Sequence, residues 1–225
     1  VIWIEVELDV AEEPRADPWN SYYASRFAWA DESAELARNV GLARQRTDNY
    51  RIEAPYYFEA RADKQCLAIL TGGLPYHRRV GMSVLDTMLI CRGESQRKFR
   101  LGLAVDVANA LPYALDLITP IEPRLESAAA PQGPDSSWLF HLDRKNVVAT
   151  HWEPIVEEQR VVGFRARLME TQGSAVRCKL RSFRAAKTAR QVDFLGETMV
   201  QLPVEDDSIA IDFTSYEWVE LEARF

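Results

Sequence analysis

The sequence predicts an all-β protein, an antiparallel β-sandwich with few short helices. The main observation is a period-two alternation of apolar and polar residues, which recurs along much of the 225-residue chain. In residues 2–10, apolar side chains occupy every second position, and Glu5, Glu7 and Asp9 lie between them. Such alternation is typical of a strand with one wet face. A sheet with one apolar face needs a second layer to cover it, so the pattern predicts two packed sheets.

Further segments carry the same alternation and are predicted strands. They are residues 99–107, 162–168, 176–180, 209–213 and 216–225. Helical patterns are scarce. Residues 32–39 are compatible with a helical turn or two, and residues 108–118 have a partial 3.6-residue period that is interrupted by Pro112. Strands at intervals of roughly 10 residues are typical of a sandwich of antiparallel sheets.

A proline-rich stretch divides the predicted strands into two groups. Residues 119–137 contain several prolines, and proline removes hydrogen-bond donors from a strand ladder, so we expect a long connector there. Neither half shows a separate core in the sequence. We therefore predict a single β-sandwich domain over residues 1–225. Because the sequence starts at Val1, inside a predicted strand and without a methionine, we expect it to be a fragment of a longer enzyme.

The composition excludes some classes of function. The formal net charge is −7 and the sequence pI is about 5.1, so the surface repels nucleic acids and anionic membranes. No apolar run reaches the ~18 residues that a membrane-spanning helix needs. The first ten residues lack the apolar core of a signal peptide. The three cysteines are widely spaced, which argues against a disulfide framework and favours reduced thiols in the cytoplasm.

The candidate binding site lies in residues 70–92, which are predicted to run strand, loop, strand. Glycines and a proline punctuate the predicted loop, and they enclose Tyr76, His77, Arg78 and Arg79. An aromatic ring, an imidazole and two guanidiniums form a donor set suited to a polyhydroxylated or anionic ligand. The alternative is an ordinary polar surface loop. We expect Arg79 and His77 to be the main ligand contacts, followed by Tyr76 and Arg78.

Other groups of residues give weaker signals. His141 and Asp143 would lie on the same face of a strand, but no rigid set of further ligands accompanies them, so no metal site is predicted. The basic residues between positions 177 and 190 indicate a solvated face. Trp19, beside Pro18, is a candidate ligand contact because aromatic faces can stack on sugars. No catalytic motif is present, so no catalytic residue is predicted.

Several segments together resemble a known family. They are DPWNSYYASRFAWADE, LTGGLPYHRRVGMSVLDTMLICRGE, FHLDRKNVVATHWEP, GFRARLMET, RQVDFLGE and YEWVELEARF. In this order they are similar to the C-terminal β-sandwich region of bacterial proteins related to glycoside hydrolase family 38, the α-mannosidases. The resemblance implies a sandwich of the galactose-mutarotase-like or supersandwich type. It also implies that zinc or another divalent metal belongs to a separate catalytic domain, and that this fragment carries no cofactor.

The resemblance implies an accessory role in an α-mannosidase-like enzyme. The fragment would be inactive alone, pack on the catalytic domain of the same polypeptide, and lend residues 76–79 to a pocket that binds mannosides. Two alternatives stay open. One is a stand-alone carbohydrate-binding module, for which exposed coplanar aromatic rings near Trp19 or Tyr76 would be the sign. The other is a scaffold or oligomerisation domain without a ligand, and homo-oligomer formation is also left open.

Overall fold

The structure is a computed structural model that describes residues 1–119 and 138–225, and these residues form an all-β fold with one short helix. The connector predicted at 119–137 lies outside the described residues, apart from Thr119. The chain divides into two compact units, Val1–Glu122 and Pro123–Phe225. Each unit contains two antiparallel sheets, so the predicted fold class is confirmed. The single domain over residues 1–225 stays a prediction.

The first unit contains strands β1 to β10 and helix α1. Their bounds are β1 (Ile2–Glu7), β2 (Tyr23–Ala28), β3 (Glu35–Val40), β4 (Ala43–Arg46), β5 (Arg51–Glu53), β6 (Tyr57–Ala62), β7 (Gln65–Leu70), β8 (Tyr76–Gly81), β9 (Val84–Ile90), β10 (Lys98–Val105) and α1 (Leu111–Ile118). The six-stranded sheet has the order β1-β10-β7-β6-β3-β4, and the four-stranded sheet has the order β2-β9-β8-β5. Apolar side chains from both sheets meet in a shared core, which includes Ile52, Phe58, Ile69 and Leu85.

The second unit contains strands β11 to β19. Their bounds are β11 (Phe140–Leu142), β12 (Val147–Glu157), β13 (Arg160–Glu170), β14 (Val176–Ser182), β15 (Thr188–Val192), β16 (Thr198–Leu202), β17 (Val204–Glu205), β18 (Ser208–Phe213) and β19 (Trp218–Arg224). A five-stranded sheet of order β12-β13-β19-β15-β16 and a four-stranded sheet of order β11-β14-β18-β17 share a core that includes Phe164, Leu180, Ile211 and Leu221. Each unit therefore buries the inner faces that the alternation predicts.

The alternating segments form strands as predicted, and the helix prediction is half right. Helix α1 lies within residues 108–118, and Pro112 occupies its first turn. Proline is tolerated there because the N–H groups of the first turn have no acceptor within the helix. Residues 32–39 were predicted as helical turns, and this was wrong. Most of them belong to strand β3, which pairs with β4 and β6 and buries Leu36. Pairing with two neighbours outweighs a weak local propensity. No helix in the described part of the chain is long and apolar enough to cross a membrane.

Glu170, at the end of β13, joins three turns of the second unit. Its side chain is completely buried. Its carboxylate accepts hydrogen bonds from the backbone N–H groups of Gln172 (2.8 Å), Gly173 (2.7 Å), Ser174 (3.1 Å) and Tyr216 (3.0 Å) and from Nδ2 of Asn146 (2.9 Å). Burial raises the pKa of Glu170, but these donors outweigh burial and hold the pKa below its ordinary value. The charged carboxylate therefore fixes the turns that lead into β12, β14 and β19.

We expect Glu170→Gln to lower the free energy of unfolding of the second unit by about 2–4 kcal/mol, because the amide turns N–H groups toward buried N–H donors. Urea denaturation measures the change. Glu217→Gln is the matched control, since the Glu217 carboxylate accepts hydrogen bonds from Thr214 at an exposed turn. Glu217→Gln should lower the free energy of unfolding by less than ~1 kcal/mol. Equal losses in the two variants would contradict the role of Glu170.

Candidate functional site

The residues that were predicted as a ligand-binding loop form strand β8. This strand lies between β5 and β9, with Tyr76 opposite Glu53 and with Arg78 opposite both Arg51 and Asp86. The prediction of a loop was therefore wrong for residues 76–81. The turn is confined to the residues before Pro75, where Gly72 and Gly73 adopt φ values of 62° and 88°, a region that favours glycine.

Because β8 is a strand, its side chains point alternately to the two faces of the sheet. Tyr76 and Arg78 lie on the outer face, and Tyr76 is 48% exposed. His77 and Arg79 lie on the opposite face. The guanidinium of Arg79 donates hydrogen bonds to the carbonyl oxygens of Gly81 (3.1 Å) and Met82 (2.7 Å) in the hairpin between β8 and β9. The structure thus does not bring the four predicted ligand residues together.

His77 is completely buried between the two sheets of the first unit. Its Nδ1 lies 3.1 Å from Oγ1 of Thr87, and its Nε2 lies 3.1 Å from the carbonyl oxygen of Ala54. Burial lowers the pKa of His77 to about 4, so the ring is neutral at pH 7. The ring has no exposed surface, and a ligand contact by His77 stays a prediction. Its two nitrogens instead connect β8 to β9 and to the residue that follows β5.

Asp86 organises the outer face of the four-stranded sheet. Its Oδ1 lies 2.6 Å from Nε of Arg26, and its Oδ2 accepts hydrogen bonds from Nη2 of Arg26 and from the hydroxyl of Tyr22, both at 2.9 Å. Burial raises the pKa of Asp86, but the hydrogen bonds from Arg26 and Tyr22 and the charge of Arg78 leave it below its ordinary value. The charged Asp86 therefore fixes β2 and the segment before it against β9.

Trp19 is fixed over the same face by two arginines. Nη1 of Arg78 donates a hydrogen bond to the carbonyl oxygen of Trp19 at 2.6 Å. The guanidinium of Arg51 lies 5.1 Å from the centroid of the Trp19 ring, in cation–π contact. The Asp17 carboxylate accepts hydrogen bonds from the backbone N–H of Trp19 (3.0 Å) and from Nδ2 of Asn20 (2.7 Å). These contacts define a rigid turn of the Asx type.

Trp19 and Tyr76 form two walls of a cleft, called here the Trp19–Tyr76 cleft. Their ring centroids are 6.1 Å apart and their planes meet at 76°. The cleft has a volume of about 650 Å³, which is within the range of small-molecule sites. Its lining residues are Pro18, Trp19, Glu53, Leu74, Pro75, Tyr76, Met88, Leu89, Cys91 and Glu94. The charged groups in this lining are the carboxylates of Glu53 and Glu94.

The sequence pointed to Trp19 and Tyr76 by residue type but missed Glu53 and Glu94. Neither glutamate belongs to a motif that the sequence displays, and strand pairing brings Glu53 beside Tyr76 in the cleft. If residues 76–81 had been predicted as a strand, residues 51–53 would have been a candidate partner strand. That pairing would have placed Glu53 beside Tyr76.

No metal site is found in the part of the chain that the structure describes: no three or more His, Cys, Asp or Glu side chains are grouped so as to hold an ion. His141 and Asp143 are used otherwise. Oδ1 of Asp143 accepts the backbone N–H of Lys179 at 2.7 Å, and the His141 ring lies 6.4 Å from the ring of Trp138. The described residues therefore offer no set of ligands for zinc.

The fold is similar to two solved structures from Enterococcus faecalis. One is a protein in the glycosyl hydrolase family 38, with a TM-score of 0.62, 12% identity, and coverage of 85% of this chain and 25% of that chain. The other is an α-mannosidase from strain V583, with a TM-score of 0.60, 12% identity, and coverage of 90% and 25%. No family model and no curated protein matches the sequence. At this identity the likeness establishes a shared fold, and the chain spans about a quarter of the length of these two proteins.

Burial of a neutral His77 makes the stability of the first unit depend on pH. Between pH 6.5 and about 4 the unfolded chain takes up a proton on His77 and the folded chain does not. The free energy of unfolding of the first unit therefore falls by roughly 3 kcal/mol as the pH falls through this range. We expect the stability difference between wild type and His77→Gln to narrow from pH 7 to pH 4 in urea denaturation. The exposed His151 provides the control, and His151→Gln should follow wild type. A constant difference across this range would contradict the assignment.

Burial raises the pKa of the Cys91 thiol, and the charge of Glu94 raises it further. We expect Glu94→Gln to accelerate alkylation of Cys91 by iodoacetamide at pH 8 by roughly two- to fivefold, because more thiolate forms when the negative charge is removed. Mass spectrometry of the peptide that contains Cys91 measures the rate. Glu53→Gln, in the same cleft, is the control and should leave the rate unchanged. If Glu94→Gln leaves the alkylation rate of Cys91 unchanged, the side chains of Cys91 and Glu94 are not neighbours.

Proposed function

We propose that this chain is a non-catalytic accessory β-sandwich region of an α-mannosidase-like glycoside hydrolase of family 38. The observation that carries the proposal is the shared fold, which extends over 85% and 90% of this chain in the two similar structures. The resembling sequence segments support it independently, because they follow one another in the family's order. The matched region is a quarter of each of those chains, which supports a catalytic domain elsewhere in the same polypeptide.

In this proposal the chain packs on that catalytic domain and contributes to the pocket that binds mannosides. Tyr76 carries most of the contribution, since it is exposed on the outer face and lies at the Trp19–Tyr76 cleft. Arg78 holds Trp19 in position. Arg79 uses part of its guanidinium within the hairpin and keeps further N–H donors for a carboxylate of the catalytic domain. His77 positions β8 from the buried side.

The remaining properties of the parent enzyme follow from the same proposal. Zinc or another divalent metal is held by the catalytic domain, and the reaction is hydrolysis of mannosides. All three cysteines of the chain are unpaired, which supports a reducing compartment, the cytoplasm.

The alternative of a stand-alone carbohydrate-binding module predicts coplanar exposed rings near Trp19 or Tyr76. These two rings meet at 76°, so they form a corner and not a flat platform. The alternative of a scaffold or oligomerisation domain has one supporting observation. In the second unit Phe194, Leu195 and Met199 are 75%, 89% and 64% exposed, and exposed apolar side chains favour a protein contact where they form a patch.

Hydrolysis of an aryl α-mannoside by the full polypeptide that contains this chain tests the proposal. We expect hydrolysis by the wild type, and a fall in kcat/KM of about tenfold, mainly through KM, in Tyr76→Ala. Tyr113→Ala is the matched control, because Tyr113 is an exposed tyrosine on α1, and its kcat/KM should not change.

The two parts of the proposal fail separately. A full polypeptide that does not hydrolyse the mannoside would contradict the family assignment. Hydrolysis with the same kcat/KM in wild type and Tyr76→Ala would contradict the contribution of β8 to the pocket.

A further inference from the structure

The walls of the Trp19–Tyr76 cleft suit a ring that has apolar faces. Two aromatic rings at 76° to each other form a corner, and Met88, which is buried beside Tyr76, provides an apolar surface next to it. The C–H faces of a sugar ring pack on aromatic side chains. A corner of this kind surrounds one ring on two sides, whereas a flat platform suits an extended polymer.

The polar groups of the cleft are hydrogen-bond acceptors. Within the described part of the chain, the Glu53 carboxylate makes no hydrogen bond and no ion pair, and Glu53 lines the cleft. Oε1 of Glu94 accepts the backbone N–H of Gln96 at 2.7 Å, which leaves its second oxygen for a ligand. An ionised carboxylate only accepts hydrogen bonds. The two glutamates therefore match hydroxyl donors and repel a phosphate or a carboxylate on the ligand.

A cation is the other ligand that could pair with two carboxylates, and the charges around the cleft bear on it. The guanidinium of Arg51 already lies over that ring at 5.1 Å. Arg51 and Arg78 contact Trp19 without lining the cleft, so they add positive charge close to it. The two arginines balance the charge of Glu53 and Glu94, and this balance favours a neutral ligand over a cationic one.

We propose that the Trp19–Tyr76 cleft binds one neutral sugar residue, without help from a catalytic domain. Trp19 and Tyr76 contact the C–H faces of the sugar, and Glu53 and Glu94 accept hydrogen bonds from its hydroxyls. The choice of mannose among hexoses rests on the proposed function; the class of ligand rests on the cleft. The two carboxylates in the lining weaken the binding of a sugar that carries a phosphate.

Nuclear magnetic resonance of the ¹⁵N-labelled chain Val1–Phe225 tests this inference. The indole N–H signal of Trp19 is identified by its loss in Trp19→Phe, and the other tryptophans serve as internal references. We expect methyl α-mannoside to shift the Trp19 signal saturably, with a Kd on the order of 1 mM for so small a ligand. Tyr76→Ala and Glu53→Gln should each weaken binding at least about fivefold. Tyr113→Ala should bind as wild type.

Each further outcome bears on the inference. Mannose 6-phosphate should bind at least about tenfold more weakly than methyl α-mannoside, and equal binding would overturn the role of Glu53 and Glu94. A saturable shift with butylamine but not with the mannoside would overturn the neutral-sugar assignment in favour of a cation. No shift with any of the three probes would overturn the site, while mannoside hydrolysis by the full polypeptide would leave the proposed function standing. Retained dispersion of the spectra shows that each variant is folded.

Discussion

The candidate site depends on the register of strand β8 between β5 and β9. This register places Tyr76 and Arg78 on the outer face of the four-stranded sheet and His77 on the inner face. A slip by one residue would exchange the two faces, burying a tyrosine and an arginine and exposing the histidine. The hydrogen bonds of the His77 ring to Thr87 and Ala54 oppose such a slip, because the buried ring would lose both partners.

This register aligns the side chains of the outer face in two rows that run across the strands. Arg26, Asp86, Arg78 and Arg51 lie side by side on successive strands, and the buried Asp86 offsets the repulsion among the arginines. Arg78 and Arg51 hold the turn of Trp19 over the sheet. The next pair along the two strands brings Tyr76 beside Glu53, and both residues line the cleft. The ion-paired side chains around Asp86 thus support the neighbouring pair of Tyr76 and Glu53, which is open to a ligand.

Much of the fold could be predicted from the sequence, whereas less of the site could. Alternation identified β1, β10, β13, β14, β18 and β19, because their inward positions are apolar. It failed for β8, because the inward residues of that strand are His77 and Arg79, and the sequence does not display the hydrogen bonds that both side chains make. Residue type singled out Trp19 and Tyr76. The carboxylates of Glu53 and Glu94 enter the cleft through strand pairing, which no local pattern records.

The central claim is the register of β8, and one contact tests it most directly. Backbone hydrogen bonds from Arg79 to Tyr50 and from Ala54 to Pro75 make Glu53 and Tyr76 a pair without mutual hydrogen bonds, in which the Cα atoms approach to roughly 4.5 Å. A nuclear Overhauser effect between the Hα atoms of Glu53 and Tyr76 is therefore expected. An effect between Glu53 and His77 in its place would contradict the register and the cleft built on it.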